Sequence, residues 1–219
     1  MAFVDTYRQQ VALLIRVLPF VAEERAFALK GGTAINLFVR DMPRLSVDID
    51  LTYLPVQDRT TSLAAINAAM LRIKKRIERG IPGAKVNASR SADENVVTKL
   101  IVRASGVQIK IEVTPVLRGT VYDPVMTGVV PAVETAFGFA EIQVVSFADL
   151  YGGKIVAAFD RQHPRDLFDV RCCWRTKVST TSCVAPSWFT SSATTVRWPK
   201  FSPRPSSRWA RSSRGALPV

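Results

Sequence analysis

The run Phe27-Ala-Leu-Lys30-Gly31-Gly32-Thr33-Ala-Ile-Asn-Leu-Phe38, followed by Arg44-Leu-Ser46-Val-Asp48-Ile-Asp50-Leu-Thr-Tyr53, decides how the rest of the chain is read. A short apolar run ends in Lys-Gly-Gly-Thr, an apolar helical stretch follows, and a second β-like run carries Asp-x-Asp. Two glycines let the backbone turn tightly and come close to a ligand, because neither has a Cβ. Thr33 is placed to cap the following helix, whose start offers free N–H groups to an anion. Asp48 and Asp50 alternate with Val47, Ile49 and Leu51. On a strand they share one face, about 6.5–7 Å apart along it, while the apolar residues take the other. Two carboxylates on one face suit Mg²⁺, which takes oxygen ligands and substrate phosphates. Alone, a Gly-Gly turn is only a turn, and Asp-x-Asp is a solvated strand face. Side by side they point to a nucleotide site, with Lys30, Gly31, Gly32 and Thr33 toward phosphates and Asp48 and Asp50 toward metal.

Outward from this stretch, residues 3–18 carry apolar residues at helical spacing, and Pro19 is expected to end that helix. A second short helix over 20–25 should lead into a strand at 26–29. Residues 58–79 form the clearest helix, with Leu63, Ile66, Ala69, Met70, Ile73 and Ile77 on one side. Its basic cluster, Lys74, Lys75, Arg76 and Arg79, suits either the helix C-terminus or an RNA backbone. Strands follow at 84–90, 95–104 and 107–114, with a hairpin turn at Ser105-Gly106. The last alternates Val107, Ile109, Ile111 and Val113 with Gln108, Lys110 and Glu112. Glu112 is thus either a third site carboxylate or part of a solvated Lys/Glu face. Residues 115–145 read as loop-rich with one or two short strands, the last near 140–145. Ser146-x-x-Asp149 opens a helix to 159, and Gly152-Gly153 inside it costs about 1 kcal/mol per Gly relative to Ala. Close approach of the sheet or of a ligand would justify that cost. Pro164 starts a further helix.

Gly31-Gly32-Thr33, a spacer, then Arg44-x-Ser46-x-Asp48-x-Asp50 resembles the signature of the AbiEii/AbiGii-type nucleotidyltransferase toxins, a branch of the DNA polymerase β-like nucleotidyltransferases. The superfamily pattern is Gly-Ser, a spacer, then Asp-x-Asp or Asp-x-Glu. Here Thr stands for Ser and keeps the hydroxyl, and the spacer is longer. The resemblance implies an α/β (α+β) fold of polymerase β-like type, a small mixed sheet flanked by helices. It implies that Glu112 is the third carboxylate beside Asp48 and Asp50, all three holding Mg²⁺. Asp149-Leu-Tyr-x-x-Lys154 matches a family motif and implies that Lys154 binds phosphate. His163-Pro-Arg-Asp166-Leu-Phe-Asp169 matches another and implies an active-site role for Asp166, with Asp169 structural. The implied activity is transfer of a nucleotide from a nucleoside triphosphate to an acceptor hydroxyl, the 3′ end of tRNA in some members. The implied setting is a toxin–antitoxin or abortive-infection system, with an antitoxin encoded alongside.

Composition adds limits. The chain has 219 residues and a formal net charge of +12. Residues 1–171 hold all 18 acids against 22 Lys and Arg, a net +4, while residues 172–219 hold 8 bases and no acid. That last segment contains all three Cys and all four Trp and is dominated by Ser, Thr, Pro and Arg. It reads as an out-of-frame, disordered basic tail, beginning where family members continue into a helical C-terminal domain. The competing reading is a genuine RNA-binding tail. No apolar run is long enough for a membrane span and no secretory signal is visible, so a cytoplasmic protein is expected. The expected organisation is a nucleotidyltransferase core at 1–114, a second α+β part at 115–171, and the tail at 172–219. The alternative to an enzyme is a catalytically inactive, truncated nucleotide- or RNA-binding protein. A kinase-like γ-phosphate transfer is disfavoured because no Gly-x-Gly-x-x-Gly loop is present.

Overall fold

The computed structural model describes residues 2–44, 46–91 and 95–175. Helix α1 covers Ala2–Ala22, and strand β1 covers Phe27–Lys30. Helix α2 is a single turn, Gly31–Ala34, that continues as a π-helical turn, Ile35–Val39, before strand β2, Asp48–Tyr53. Helix α3, Arg59–Gly80, leads to strands β3 (Lys85–Arg90), β4 (Val97–Ala104) and β5 (Val107–Arg118). Strand β6 (Val125–Gly128), helix α4 (Pro131–Phe137), strand β7 (Glu141–Val144) and helices α5 (Phe147–Arg161) and α6 (Pro164–Arg175) complete the described chain.

All seven strands form one mixed sheet in the order β3-β4-β5-β2-β1-β7-β6. The hairpin at Ser105-Gly106 has positive φ at both residues, 52° and 79°, as a tight turn matching the twist of antiparallel strands requires. Strand β2 then pairs parallel with β5 and antiparallel with β1. The sheet is larger than expected because β7 pairs parallel with β1 and carries β6 at the far edge. The expected division at 114/115 falls inside β5, and the parts on either side of it share this one sheet.

Alternation sorts the central strands into two faces. Ile49, Leu51, Ile109, Ile111 and Val113 are buried in a core shared with Leu14, Leu18, Ile66, Met70, Ile73 and Ile77 of α1 and α3. The opposite face of β1, β2 and β5 is polar and left for the site.

Pro19 does not end the first helix; α1 runs through it to Ala22. An interior proline costs a helix about 3 kcal/mol. Here Pro19 lies on the exposed side, while Leu18 and Val21 on either side of it are buried, and their packing holds the last turn in place. Two members of the basic cluster of α3, Lys74 and Arg76, are paired with acids, as is the neighbouring Arg72. Arg72 and Arg76 both pair with the buried Glu24, Arg76 also reaches Glu23 at 2.8 Å, and Lys74 lies 3.8 Å from Glu78. The Glu24 carboxyl is held below the usual range, chiefly by the Arg72 hydrogen bond. Asp58 caps α3 by accepting from the Thr61 N–H at 2.9 Å. Residues 131–137, expected as loop, form α4, with Pro131 in its first turn. Helix α6 continues past Arg171 to Arg175, with Cys173 buried in the core. The rest of the expected tail, 176–219, lies outside the described residues.

Candidate active site

Strand pairing builds the site. On β2 and β5, Asp48 stands opposite Lys110 and Asp50 opposite Glu112, while on β1 Lys30 stands opposite Asp50. These side chains share one face of the sheet. With Gly31, Thr52, Thr114, Gly119, Asp149, Gly153, Lys154 and Arg161 they line a cleft of about 600 Å³ between the sheet and α5.

Each glycine of the turn has its own reason. Gly31 has φ +77°, and a Cβ there would lie 2.5 Å from Asp50 Oδ2 and 3.1 Å from Asp50 Cβ. Gly31 is therefore glycine to admit the Asp50 carboxylate as well as to turn. A Cβ on Gly32 would lie 2.6 Å from Arg44 Nη2 and 2.9 Å from Ser46 Oγ. The Arg44 guanidinium fills that space and donates to both oxygens of Asp169, at 2.8 and 2.6 Å.

Thr33 does not cap α2 and does not line the cleft. It is fully buried; its hydroxyl bonds the Asp48 carbonyl and lies 3.0 Å from the Ser46 hydroxyl. It braces the start of β2 and so fixes where Asp48 points. At this turn Gly31, not Thr33, lines the cleft.

Electrostatics mark Asp50 as the centre of the cluster. Burial raises the Asp50 carboxyl above its ordinary value, and the neighbouring Asp48 and Glu112 charges add to this, against Lys110 and Lys30. Lys30 is lowered, chiefly by burial, with the Asp50 charge opposing. Lys110 lies 2.8 Å from Glu112 Oε2 and 3.7 Å from Asp48 Oδ2, and Lys99 lies 3.8 Å from Glu112 on the other side.

These groups fit a divalent metal in their chemistry. They are hard oxygen donors on adjacent strands, and their mutual repulsion already disfavours the full negative charge at Asp50. In the geometry of the structure, no group of three or more His, Cys, Asp and Glu side chains converges on one metal position among the described residues.

Lys154 and Asp166 are placed differently from expectation. Lys154 lines the cleft but is largely buried, its Nζ 2.8 Å from Asp166 Oδ1 and 3.1 Å from Asp169 Oδ2. Asp166 also takes Arg161 at 2.9 Å, is buried, and does not line the cleft. Burial works to raise the Asp166 carboxyl, but Lys154, Arg161 and His163 outweigh it and hold the group below its ordinary value. Asp166 and Asp169 thus bind α6 to Lys154 of α5, and Asp169 binds it to Arg44 beside the glycine turn. Both brace the site rather than face the cleft.

The close approach expected at Gly152-Gly153 is not made by protein, since a Cβ at either would meet nothing within 4 Å. Gly153 faces the cleft instead. Asp149 does more than the expected capping. The Ser146 Oγ accepts from the Asp149 N–H at 3.1 Å, while the Asp149 carboxylate accepts from the Val121 and Tyr122 N–H groups at 3.0 and 3.1 Å, tying down the loop at the cleft rim. Lys110, which lines the cleft, and Arg44, which ties Asp169 to the glycine turn, are positions that sequence reading left without a role. Lys110 had a signal, two residues before Glu112 on the same alternating face.

The sequence matches the family described as Nucleotidyl transferase AbiEii toxin, Type IV TA system, over residues 12–213. The chain belongs to this family. As a family member it is a nucleotidyltransferase toxin, and the type IV toxin–antitoxin assignment implies an antitoxin partner and a nucleotide substrate. The matched span extends beyond Arg171, where the motif-by-motif resemblance was expected to stop, into the compositionally odd segment. No curated protein matches the sequence. Among solved structures, the chain is similar to a crystal structure of ANT(2″)-Ia in complex with adenylyl-2″-tobramycin, at 16% identity and a TM-score of 0.42, covering 74% of this chain and 86% of that one. Among the described residues, no helix is long and apolar enough to cross a membrane.

Proposed function

We propose that this AbiEii-family chain transfers a nucleotide from a nucleoside triphosphate to an RNA hydroxyl, the 3′ end of tRNA, in the cleft over β1, β2 and β5. The observation that carries this reading is the placement of Asp48, Asp50 and Glu112 on neighbouring strands, facing one cleft beside the Gly31–Gly32 turn. In the reaction, the acceptor oxygen bonds to the α-phosphorus as the bond from that phosphorus to the bridging oxygen breaks. Pyrophosphate leaves, and the hydroxyl proton passes to a carboxylate of the cleft.

Asp48 and Asp50, with Glu112 as the third acid, are the residues that would hold Mg²⁺. Bound there, Mg²⁺ would offset triphosphate charge and ease loss of the acceptor's proton. Lys30, opposite Asp50, and Arg161 line the cleft and are cations placed to meet phosphate oxygens. Lys154 contributes by fixing α5 and α6 and by adding positive field, because its own donors are engaged by two aspartates. Such transfer depends mostly on positioning and on preorganised charge.

The test is incubation of the full chain with total tRNA, Mg²⁺ and each α-labelled nucleoside triphosphate, beside the Asp48→Ala, Asp50→Ala double variant. Label on RNA from the unmutated chain alone supports the reading. Equal labelling by both removes the carboxylate site. Nucleotide binding without labelled tRNA removes tRNA as the acceptor.

A further inference from the structure

The polar face of the site is charge-balanced before any ligand arrives. Three carboxylates, Asp48, Asp50 and Glu112, share their neighbourhood with three lysines, Lys30, Lys99 and Lys110. The lysines are not equivalent. Lys30 reaches the Thr114 hydroxyl at 3.4 Å, beside Asp50. Lys99 lies 3.8 Å from Glu112 Oε1 and does not line the cleft. Lys110 lines the cleft and contacts two carboxylates on two different strands, Glu112 at 2.8 Å and Asp48 at 3.7 Å.

We propose that Lys110 is the resident counterion of the metal site: it holds Asp48 and Glu112 in the nucleotide-free protein, and yields that place to a divalent cation when a triphosphate binds. The proposal rests on the nucleotidyltransferase reading above and assigns it a further positioning residue. An ammonium between two carboxylates fills the electrostatic niche that a bridging cation would fill, so the two compete. The lysine side chain is a flexible stem with three donors and no acceptor. The Lys110 side chain is 34% exposed, so it has room to swing from the carboxylates to incoming phosphate oxygens. The triphosphate then supplies the negative charge that both the metal and the displaced ammonium need. Metal and nucleotide become cooperative, each raising the other's affinity by the same factor.

The device uses the convergence of two carboxylates on neighbouring strands, Asp48 and Glu112, on one lysine. It also gives the free protein a way to avoid gathering metal without substrate.

The experiment is a titration of the full chain with Mn²⁺ alone, followed by the paramagnetic signal of free Mn²⁺. It is repeated with a non-hydrolysable nucleoside triphosphate analogue present. Lys110→Met should bind Mn²⁺ about tenfold more tightly than the unmutated chain without nucleotide, within the usual span of coupling factors, and the gain on adding the analogue should shrink. Lys110→Arg, which keeps the charge, should behave like the unmutated chain. Lys99→Met, which removes an equal charge outside the cleft, should change Mn²⁺ affinity far less, separating local occupancy from general field. Thermal unfolding of each variant shows that it is folded.

If Mn²⁺ binds and responds to the analogue but Lys110→Met leaves its affinity unchanged or weaker, the counterion role is overturned and the nucleotidyltransferase reading stands. Equal effects of Lys99→Met and Lys110→Met also overturn it. If neither the unmutated chain nor Lys110→Met takes up Mn²⁺ even with the analogue, the metal site itself fails, and the proposal with it.

Discussion

Replacing Gly31 by Ala tests whether the glycine turn exists to admit Asp50. Two separate costs follow from the structure. Gly31 has φ +77°, and an L-residue in that left-handed region is disfavoured by about 1–2 kcal/mol. The added Cβ would then lie 2.5 Å from Asp50 Oδ2. Asp50 must move within a packed neighbourhood, and forcing extra atoms into such a site costs about 1–3 kcal/mol. The total is roughly 3 kcal/mol, which for a chain of this size lowers the unfolding midpoint by about 6–12 °C. The assay is thermal unfolding of Gly31→Ala, Asp50→Ala and the double variant, with nucleotide transfer measured on the first.

In the Asp50→Ala background the carboxylate contact is gone and only the 3.1 Å approach to the remaining Cβ is left, so the cost of Gly31→Ala should fall toward the backbone component, about 1–2 kcal/mol. The difference is a coupling energy of about 1–3 kcal/mol between residues in contact. Transfer by Gly31→Ala should be lost even where the protein is folded, because the displaced carboxylate is central to the cleft. Equal destabilisation in both backgrounds, or full transfer by Gly31→Ala, would refute the reasoning.

Three more outcomes are expected. Asp169→Ala leaves Arg44 and Lys154 without a shared buried anion and should destabilise the fold by about 3–5 kcal/mol, read as a drop in denaturant midpoint; a loss below 1 kcal/mol would deny that α6 anchors the site. Asp166 has a folded-state carboxyl held below its ordinary 3.8, so the stability it adds is present above that value and disappears as pH falls below about 4; midpoints measured from pH 6 to pH 3 should fall less steeply in Asp166→Asn than in the unmutated chain. Gly152→Ala adds a methyl group in open space on a helix and should stabilise by about 0.5–1 kcal/mol without touching transfer, whereas Gly153→Ala should gain similar stability and weaken nucleotide binding, because it narrows the cleft; identical binding by the two variants would show that Gly153 does not face the ligand.

The reading of residues 172–219 as out of frame turns on the coding DNA after the Arg171 codon. A helical, apolar continuation in another frame supports it; none in either frame removes it.

What the sequence determined by itself is whatever depends on neighbours a few residues away. Side-chain direction alternates along a strand, so Asp48 and Asp50 share a face, and so do Lys110 and Glu112, whatever the strands pair with. Helix spacing marks α3 and its Asp58 start, and Ser105-Gly106 marks the hairpin, for the same local reason. Even the grouping of Glu112 with the Asp pair was available, but only through resemblance to a family, since nothing local says that β5 lies beside β2.

The tertiary structure decided everything that joins distant segments. Arg44 and Asp169 are 125 residues apart, and their pairing places Arg44 against Gly32. No local pattern announces such a pair. For the same reason Lys154 and Asp166, each plausible alone as an active-site group, turn out to neutralise one another, and Thr33 faces the Asp48 carbonyl instead of a phosphate. Pro19, a helix breaker by local rule, is overruled by the burial of Leu18 and Val21. Local rules fix what a residue is able to do, but whether it faces ligand, solvent or another charge depends on packing between elements far apart in the chain.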